Sequence, residues 1–416
     1  MDRKPSDRRA LLRGAGMAAG AAVAAPFIGG IGPAAAAAGA GSGSAAGASA
    51  PDAAVSGAAG SDAALAAVSG AMPWVGPADS GAPFEVDPTV GAQAAINAAL
   101  AAAGQGAVFV AGGTYPVKGP VVLGDRQTLI GAGPVSTVLR AVSGFSGTGM
   151  ITTPSGAFTG ARMCVRDIGL EASGIAGYGV NLQIGAKPTT YGPDPAPWLS
   201  RVFVSNTVSD GIYLGGAYSG GERELKVTDC RVENAGGWAY NIESSDGFIG
   251  GCSAQGGKAG GYLIAGGNTK MWGCKAYGTG NGSAPGPAFR LSSARATVVG
   301  CEAQDTWGCG FEVTGRGSSL AGCTADSTGI GTTGNDRYSA GFYIGSSAVN
   351  VQGCAYQRAG GGASWLGATG MRWSLYLASG VDYVMAQLVS DPNRPSPYQG
   401  GVNGTVGAHS SVTVLG

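Results

Sequence analysis

The sequence predicts an all-β chain wound as a single-stranded parallel β-helix and closed at its N-terminal end by one capping helix. Three observations carry this. A four-residue motif ending in cysteine recurs between Leu225 and Gln357, at Val227–Cys230, Ile249–Cys252, Met271–Cys274, Val298–Cys301, Leu320–Cys323 and Val351–Cys354, with successive cysteines 22, 22, 27, 22 and 31 residues apart. A unit of about 22 residues lies in the range of solenoid repeats. Between the cysteines stand short runs of period 2, such as Gly310–Val313 and Gly341–Ile344. Phe311, Val313, Phe342 and Ile344 take one face and Glu312 and Tyr343 the other, as a strand requires. Glycines between the runs mark tight corners. Three short strands per turn then stack on their equivalents about 4.8 Å away.

The chain has 416 residues, 79 of them glycine, with 25 basic and 25 acidic side chains. A formal net charge of zero and 12% charged residues imply no basic surface for nucleic acid or anionic membrane. Residues 1–40 read as a twin-arginine export signal. Ser6–Arg13 carries Arg8-Arg9, with Leu11 and Arg13 where Phe and Lys are usual. An uncharged Ala/Gly-rich run follows to Ile31, and Ala34–Ala38 offers small-residue cleavage positions. A membrane anchor is the competing reading, weakened by the low hydrophobicity of the run. Residues 41–72 have too little apolar bulk to order themselves and read as linker. Residues 73–416 form one β-helix domain. Its length is no obstacle, because each coil packs only on its neighbours. The implied location is outside the cell.

Eight cysteines in an exported chain first suggest disulfides. Six of them occupy one equivalent position per coil, where a small buried thiol packs well. Twin-arginine substrates also fold in a reducing cytosol. The ladder is therefore read as free thiols. Cys164 and Cys309 lie off it, and a Cys301–Cys309 bridge across one corner is the alternative.

In chain order, Asp87-Pro88-Thr89 opens a helix, with Asp as N-cap and Pro as first residue. Ala92, Ala95, Ile96, Ala99, Leu100 and Ala103 form its apolar stripe and Gly104 its stop. Such a helix covers the otherwise open first coil. Strands follow at Ala107–Val117, Pro120–Gly133 and Ser136–Ala141. From Asp87 to Ala141 these segments resemble the N-terminal module of the pectate lyase superfamily, the right-handed, pectin-lyase-like β-helix group that includes rhamnogalacturonase-like and epimerase-like proteins and phage tailspikes. The family often has paired aspartates before the Thr; here Pro88 takes the second place. The resemblance implies a right-handed coil and a polysaccharide partner. Further coils occupy Cys164–Leu182 and Ser200–Leu214, separated by a Pro-rich insertion, Gln183–Trp198, with Tyr191 and Asp194. After Cys354 the repeat blurs, and Ser411–Leu415 reads as a final strand.

Polysaccharide chemistry needs particular side chains. Hydrolysis uses two carboxylates, about 5 Å apart for retention or about 6.5–9.5 Å for inversion. Elimination or epimerisation of a uronate uses a base, with a cation against the neighbouring carboxylate. Outward positions one past each cysteine are Arg231, Ser253, Lys275, Glu302, Thr324 and Ala355. Three past come Glu233, Gln255, Tyr277, Gln304, Asp326 and Gln357. Two coils are lengthened at the corner after the Cys strand, by Gly278–Ala288 and Ser327–Gly341, with the Cys301 coil as a floor between them. The expected site is that corner. Asp305 and Asp326 are the acid/base pair, with Glu302 and Asp336 as further catalytic candidates. Tyr277, Trp307, Arg337, Tyr338 and Lys275 are the substrate-binding candidates. The bland alternative makes Lys275–Glu302 a surface ion pair worth well under about 1 kcal/mol and the aspartates turn formers. A second outward row, Asn181, Tyr213, Asn241, Leu263, Arg290, Glu312 and Tyr343, is the second-choice groove.

The loop Gly329–Gly334 matches GxGxxG but lacks the strand–turn–helix context of a nucleotide site. His409 is the lone histidine, which excludes a His-rich metal site and leaves no plausible Ser–His triad. The paired-Asp and His constellation of polygalacturonases and the Asp-Pro-His-Asp motif of alginate epimerases are absent. No cofactor is expected, save Ca²⁺ if the reaction is an elimination. The function implied is an exported polysaccharide lyase or glycoside hydrolase acting on an acidic or cell-wall glycan. The alternative is a non-catalytic carbohydrate-binding or surface structural β-helix.

Overall fold

Each coil turns on two single-residue corners in the left-handed backbone region, and these set the three-sided section. The first corner precedes the cysteine and holds Asp229, Gly251, Gly273, Gly300, Gly322 and Gly353, all at φ 55–63°. The second holds Asn206, Asn234, Gly256, Gly278, Asp305 and Ser327, at φ 49–68°. Gly and Asn adopt this conformation at little cost, so one residue turns the chain sharply. The computed structural model describes residues 72–154, 162–183, 197–215, 224–332, 337–357, 372–391 and 400–416. The proposed signal and all of the proposed linker but Met72, with Tyr191, Asp194 and Asp336, lie outside the described residues.

The strands pair in parallel from coil to coil. One sheet contains the two strands on either side of the first corner. A second, eleven-stranded sheet runs from Val121–Val122 to Gly400–Asn403. The inferred register holds: Arg231, Ser253, Lys275, Glu302, Thr324 and Ala355 are paired in line. So are Asn181, Tyr213, Asn241, Leu263, Arg290, Glu312 and Tyr343 on the second sheet. Ser411–Leu415 is the last strand, on Met385–Ser390.

The interior is a set of ladders. Tyr240, Tyr262, Phe289, Phe311 and Phe342 stack face on face, with centroids 4.6–5.1 Å apart and planes within 6°. The phenols end on backbone carbonyls, Tyr240 on Ser253 and Tyr262 on Lys275. The six ladder cysteines are buried and unbridged; off the ladder, Cys309 is also buried and Cys164 half-buried, and both are free. Each ladder thiol donates to the carbonyl two residues back, across the left-handed corner, at 3.3–3.7 Å. Alkylation of the denatured, unreduced protein followed by mass spectrometry is expected to label all six; a bridge between ladder neighbours would contradict this packing.

The capping helix spans Ala92–Ala103 and buries Ala92, Ile96, Ala99 and Leu100. It starts later than the sequence suggested. The Asp87 carboxylate accepts from the Thr89 amide and hydroxyl, both at 2.7 Å, and so closes a turn ahead of the helix. Gly91 is the N-cap and Gly104, at φ 60°, the stop. Asn97 imitates a strand: its amide donates to the Pro120 carbonyl and accepts from the Val122 amide, satisfying the exposed edge of the second sheet.

Candidate functional site

Of the residues singled out at the lengthened corner, Lys275, Glu302, Asp305 and Asp326 lie within electrostatic reach of one another, while Arg337 pairs with Glu312 on the second sheet. Lys275 and Glu302 form a 3.0 Å ion pair with side chains 44% and 38% exposed, a solvated pair in the row of the first sheet. Asp305 and Asp326 are neighbours but are only 6% and 7% exposed. Asp305 sits in the left-handed corner row, and its amide donates to the Asp326 carbonyl. Ser327 donates to Asp326 at 2.9 Å. The Cys301 coil is not an open floor. Amides of Ile330 and Gly331 donate to the carbonyls of Thr306 and Trp307, and Gly331 rides on the Trp307 indole. From below, Trp307 and Gly308 donate to Thr279 and Gly286. Among the described residues, the loop segments at Thr279–Gly286 and Gly329–Gly331 continue the stacking of the coil. Tyr277 remains in the outward row. Arg337 and Tyr338 leave the corner for the second sheet.

Burial, then the Asp326 charge, pushes the Asp305 carboxyl above the usual carboxylate range. Its neutral form is favoured in the fold. The associated stability is fully present below the unfolded value of about 3.9 and is lost as pH rises through the raised value. Asp305→Asn, which keeps the left-handed corner, is expected to melt no lower than wild type at neutral pH, with its relative advantage shrinking toward about pH 4. A constant difference across that range, read by calorimetry, would count against it.

The outer face of the second sheet has the richer chemistry. Asp210, at the entrance of one strand, accepts from the Trp238 amide at 2.7 Å and from the Asn241 side chain at 2.9 Å. Burial pushes its carboxyl up, against those hydrogen bonds and with the help of the Glu243 charge. Glu243, exposed at the exit of the next strand, accepts from the Tyr213 hydroxyl at 2.8 Å. Tyr178 lies 6.0 Å from Tyr213, ring to ring, and burial raises both phenols. The Asn241 amide oxygen has no partner. A carboxyl held toward its protonated form and an exposed carboxylate thus flank one Tyr–Asn pair, the pattern of divided acid and base roles.

Farther along the same row lies a cationic cluster. Glu312 is 1% exposed and bridges two arginines, Arg290 at 2.7 Å and Arg337 from the long loop. Arg290 lies 5.2 Å from the Trp238 ring centroid, and the indole itself lies over Gly260. Arg337 lies over Tyr343 at 4.8 Å and Tyr338 at 5.1 Å. Both guanidinium groups meet the one Glu312 carboxylate and lie against aromatic faces. The second-choice row contained Tyr213, Asn241, Arg290, Glu312 and Tyr343. Asp210, Trp238 and Glu243 were missed because they flank the strands at three residues before and two after that row, where solvent-facing positions were not counted. Among the described residues no group of three His, Cys, Asp or Glu side chains is placed to hold a metal.

Comparison with known proteins agrees with this architecture. Residues 85–277 match the family model "Rhamnogalacturonase A/epimerase, pectate lyase-like", and residues 198–372 match "Right handed beta helix region". No curated protein matches the chain in sequence. Among solved structures, the A-module of a mannuronan C-5 epimerase from Azotobacter vinelandii is 15% identical with a TM-score of 0.50, covering 82% of this chain and 100% of that one. A tailspike of an Acinetobacter phage is 14% identical with a TM-score of 0.51, over 82% of this chain and 62% of that one. The enzymatically active domain of tailspike protein 2 from bacteriophage CBA120 is 14% identical with a TM-score of 0.50, over 70% and 44%. The chain therefore spans less than two thirds of either tailspike. The stacked corners, the parallel register and the two family matches make the chain a right-handed parallel β-helix whose residues 85–277 carry a pectate lyase-like, rhamnogalacturonase A/epimerase module.

Proposed function

We propose that this protein is an exported enzyme that cleaves an acidic polysaccharide laid along the outer face of the second sheet. The observation that carries the reading is the Asp210–Asn241 and Tyr213–Glu243 arrangement in line with the Arg290–Glu312–Arg337 cluster. From Tyr213 to Arg290 is three coils, roughly 14 Å, a span that holds several sugar rings. Asp210 supplies the proton to the leaving oxygen. Glu243, with its Tyr213 partner, is the base. The guanidinium groups face the carboxylates of the polymer, and Trp238 and Tyr343 offer ring faces to the sugars. The names of the similar β-helices, one an epimerase of mannuronan, support a polymeric carbohydrate as substrate. Export rests on the Arg8-Arg9 segment.

The test is product release from acidic plant, algal and bacterial glycans. New reducing ends with an unsaturated chromophore near 235 nm identify elimination; reducing ends without it identify hydrolysis. Glycan binding with no product would favour a non-catalytic binding protein, and neither binding nor product would end the reading. If the reaction is an elimination, Ca²⁺ against the uronate carboxylate is the cation to test, by adding it and by chelation.

A further inference from the structure

The corner where the second sheet hands back to the first carries a depression that the proposed reaction does not use. It holds about 510 Å³ and is lined by Arg316, Ser346, Ser347, Ser379, Asp382 and Tyr383 among others. These residues come from three successive coils, so the depression spans about 10 Å along the axis. Its rim is built with care. Tyr383 is held at φ 56°, a conformation a bulky residue adopts only when its surroundings enforce it. Asp382 does the enforcing. One carboxylate oxygen accepts from the amides of Tyr383 (2.8 Å) and His409 (2.9 Å) and from the Ser410 hydroxyl (3.1 Å). The other meets His409 Nδ1 at 2.7 Å. The Tyr383 ring stacks on His409 at 4.8 Å and 5°, yet the residue is 58% exposed, so its second face is open.

The rest of the lining complements that aromatic face. Arg316 is exposed and is the one cation among the lining residues. The Asp382 carboxylate is drawn toward the Tyr383 and His409 amides, the Ser410 hydroxyl and the His409 ring. The Ser347 oxygen accepts the Asp382 amide at 3.0 Å and keeps its own proton to donate.

We propose that this corner is a second glycan-binding site that takes an acidic sugar residue, with the ring on the open face of Tyr383, the carboxylate on Arg316 and the hydroxyls on Ser346, Ser347 and Ser379. The proposal rests on the carbohydrate reading of the second sheet, and it makes the protein bivalent toward one polymer. Calorimetric titration of the full chain in its Asp210→Asn form, with tetragalacturonate, a hyaluronan tetrasaccharide and glucuronate as probes, tests it. Arg316→Ala and Tyr383→Ala are each expected to weaken one class of site about tenfold, Tyr383→Phe to preserve it, and Arg290→Ala to weaken the other class. Melting curves report whether each variant is folded. Unchanged binding in both Arg316→Ala and Tyr383→Ala overturns the corner site and leaves the sheet face standing. Loss of binding in those two with none in Arg290→Ala upholds the corner and removes the sheet face. Binding of none of the three probes overturns both.

Discussion

Asp210→Asn is expected to lower turnover on the cleaved glycan by about 10²–10⁴-fold, with the melting temperature close to that of wild type. The expectation follows from what the carboxyl does in the fold. Its oxygens accept the Trp238 amide and the Asn241 side chain, so an amide of the same shape keeps one of these bonds and the local backbone. What it loses is the carboxyl whose protonated form burial favours. Glu243→Gln is expected to lose turnover to a similar degree, and Tyr213→Phe less, because the phenol orients the carboxylate without replacing it. The double variant is expected to fall little below either single one, since groups that act as a unit are far from additive. The alkaline limb of the pH–rate profile reports Asp210. Because burial raises Asp210, that alkaline limb lies above the ordinary carboxylate range, and it disappears in Asp210→Asn. Full activity in both single variants would show that the chemistry is elsewhere.

Phe311→Ala is expected to destabilise the fold by about 3–5 kcal/mol. Phe311 is fully buried and stands between Phe289 at 4.7 Å and Phe342 at 5.1 Å. Removing it opens the aromatic ladder from within, and the rigid 4.8 Å repeat prevents neighbouring coils from collapsing into the gap. The damage reaches the site, because Glu312 follows on the same strand and holds Arg290 and Arg337. Denaturant unfolding measures the loss; Phe311→Leu, which keeps most of the volume, is expected to cost far less. A Phe311→Ala protein as stable as wild type would contradict the continuous stack.

The fold was legible because a solenoid writes its register into the sequence. One cysteine per coil, a small or turn-forming residue per corner and the period-2 strands were enough to align the rows, and those rows pair as aligned. The helix start was misjudged because Asp87 and Pro88 satisfy an N-cap pattern that a preceding turn also uses. The candidate site was legible only in part. Insertion lengths located the lengthened corner, but length does not say whether a loop rises as a wall or lies down on its neighbour. The Ser327–Thr332 backbone lies down, on Thr306 and Trp307, and covers the surface that Asp305 and Trp307 were expected to present. Arg337 was assigned to that corner from its place in the chain, whereas the pull of buried Glu312 draws it to the next face. Charge pairing across a corner leaves no periodic trace.

The most direct test of the account is the crystal structure of the Asp210→Asn protein with an oligosaccharide of the cleaved glycan. The account predicts sugar rings on the outer face of the second sheet, with the glycosidic oxygen at the Asp210 position, Glu243 and Tyr213 beside the same ring, and a sugar carboxylate on Arg290 or Arg337. Sugar bound instead over Lys275 and Glu302, with the second-sheet face bare, would contradict it.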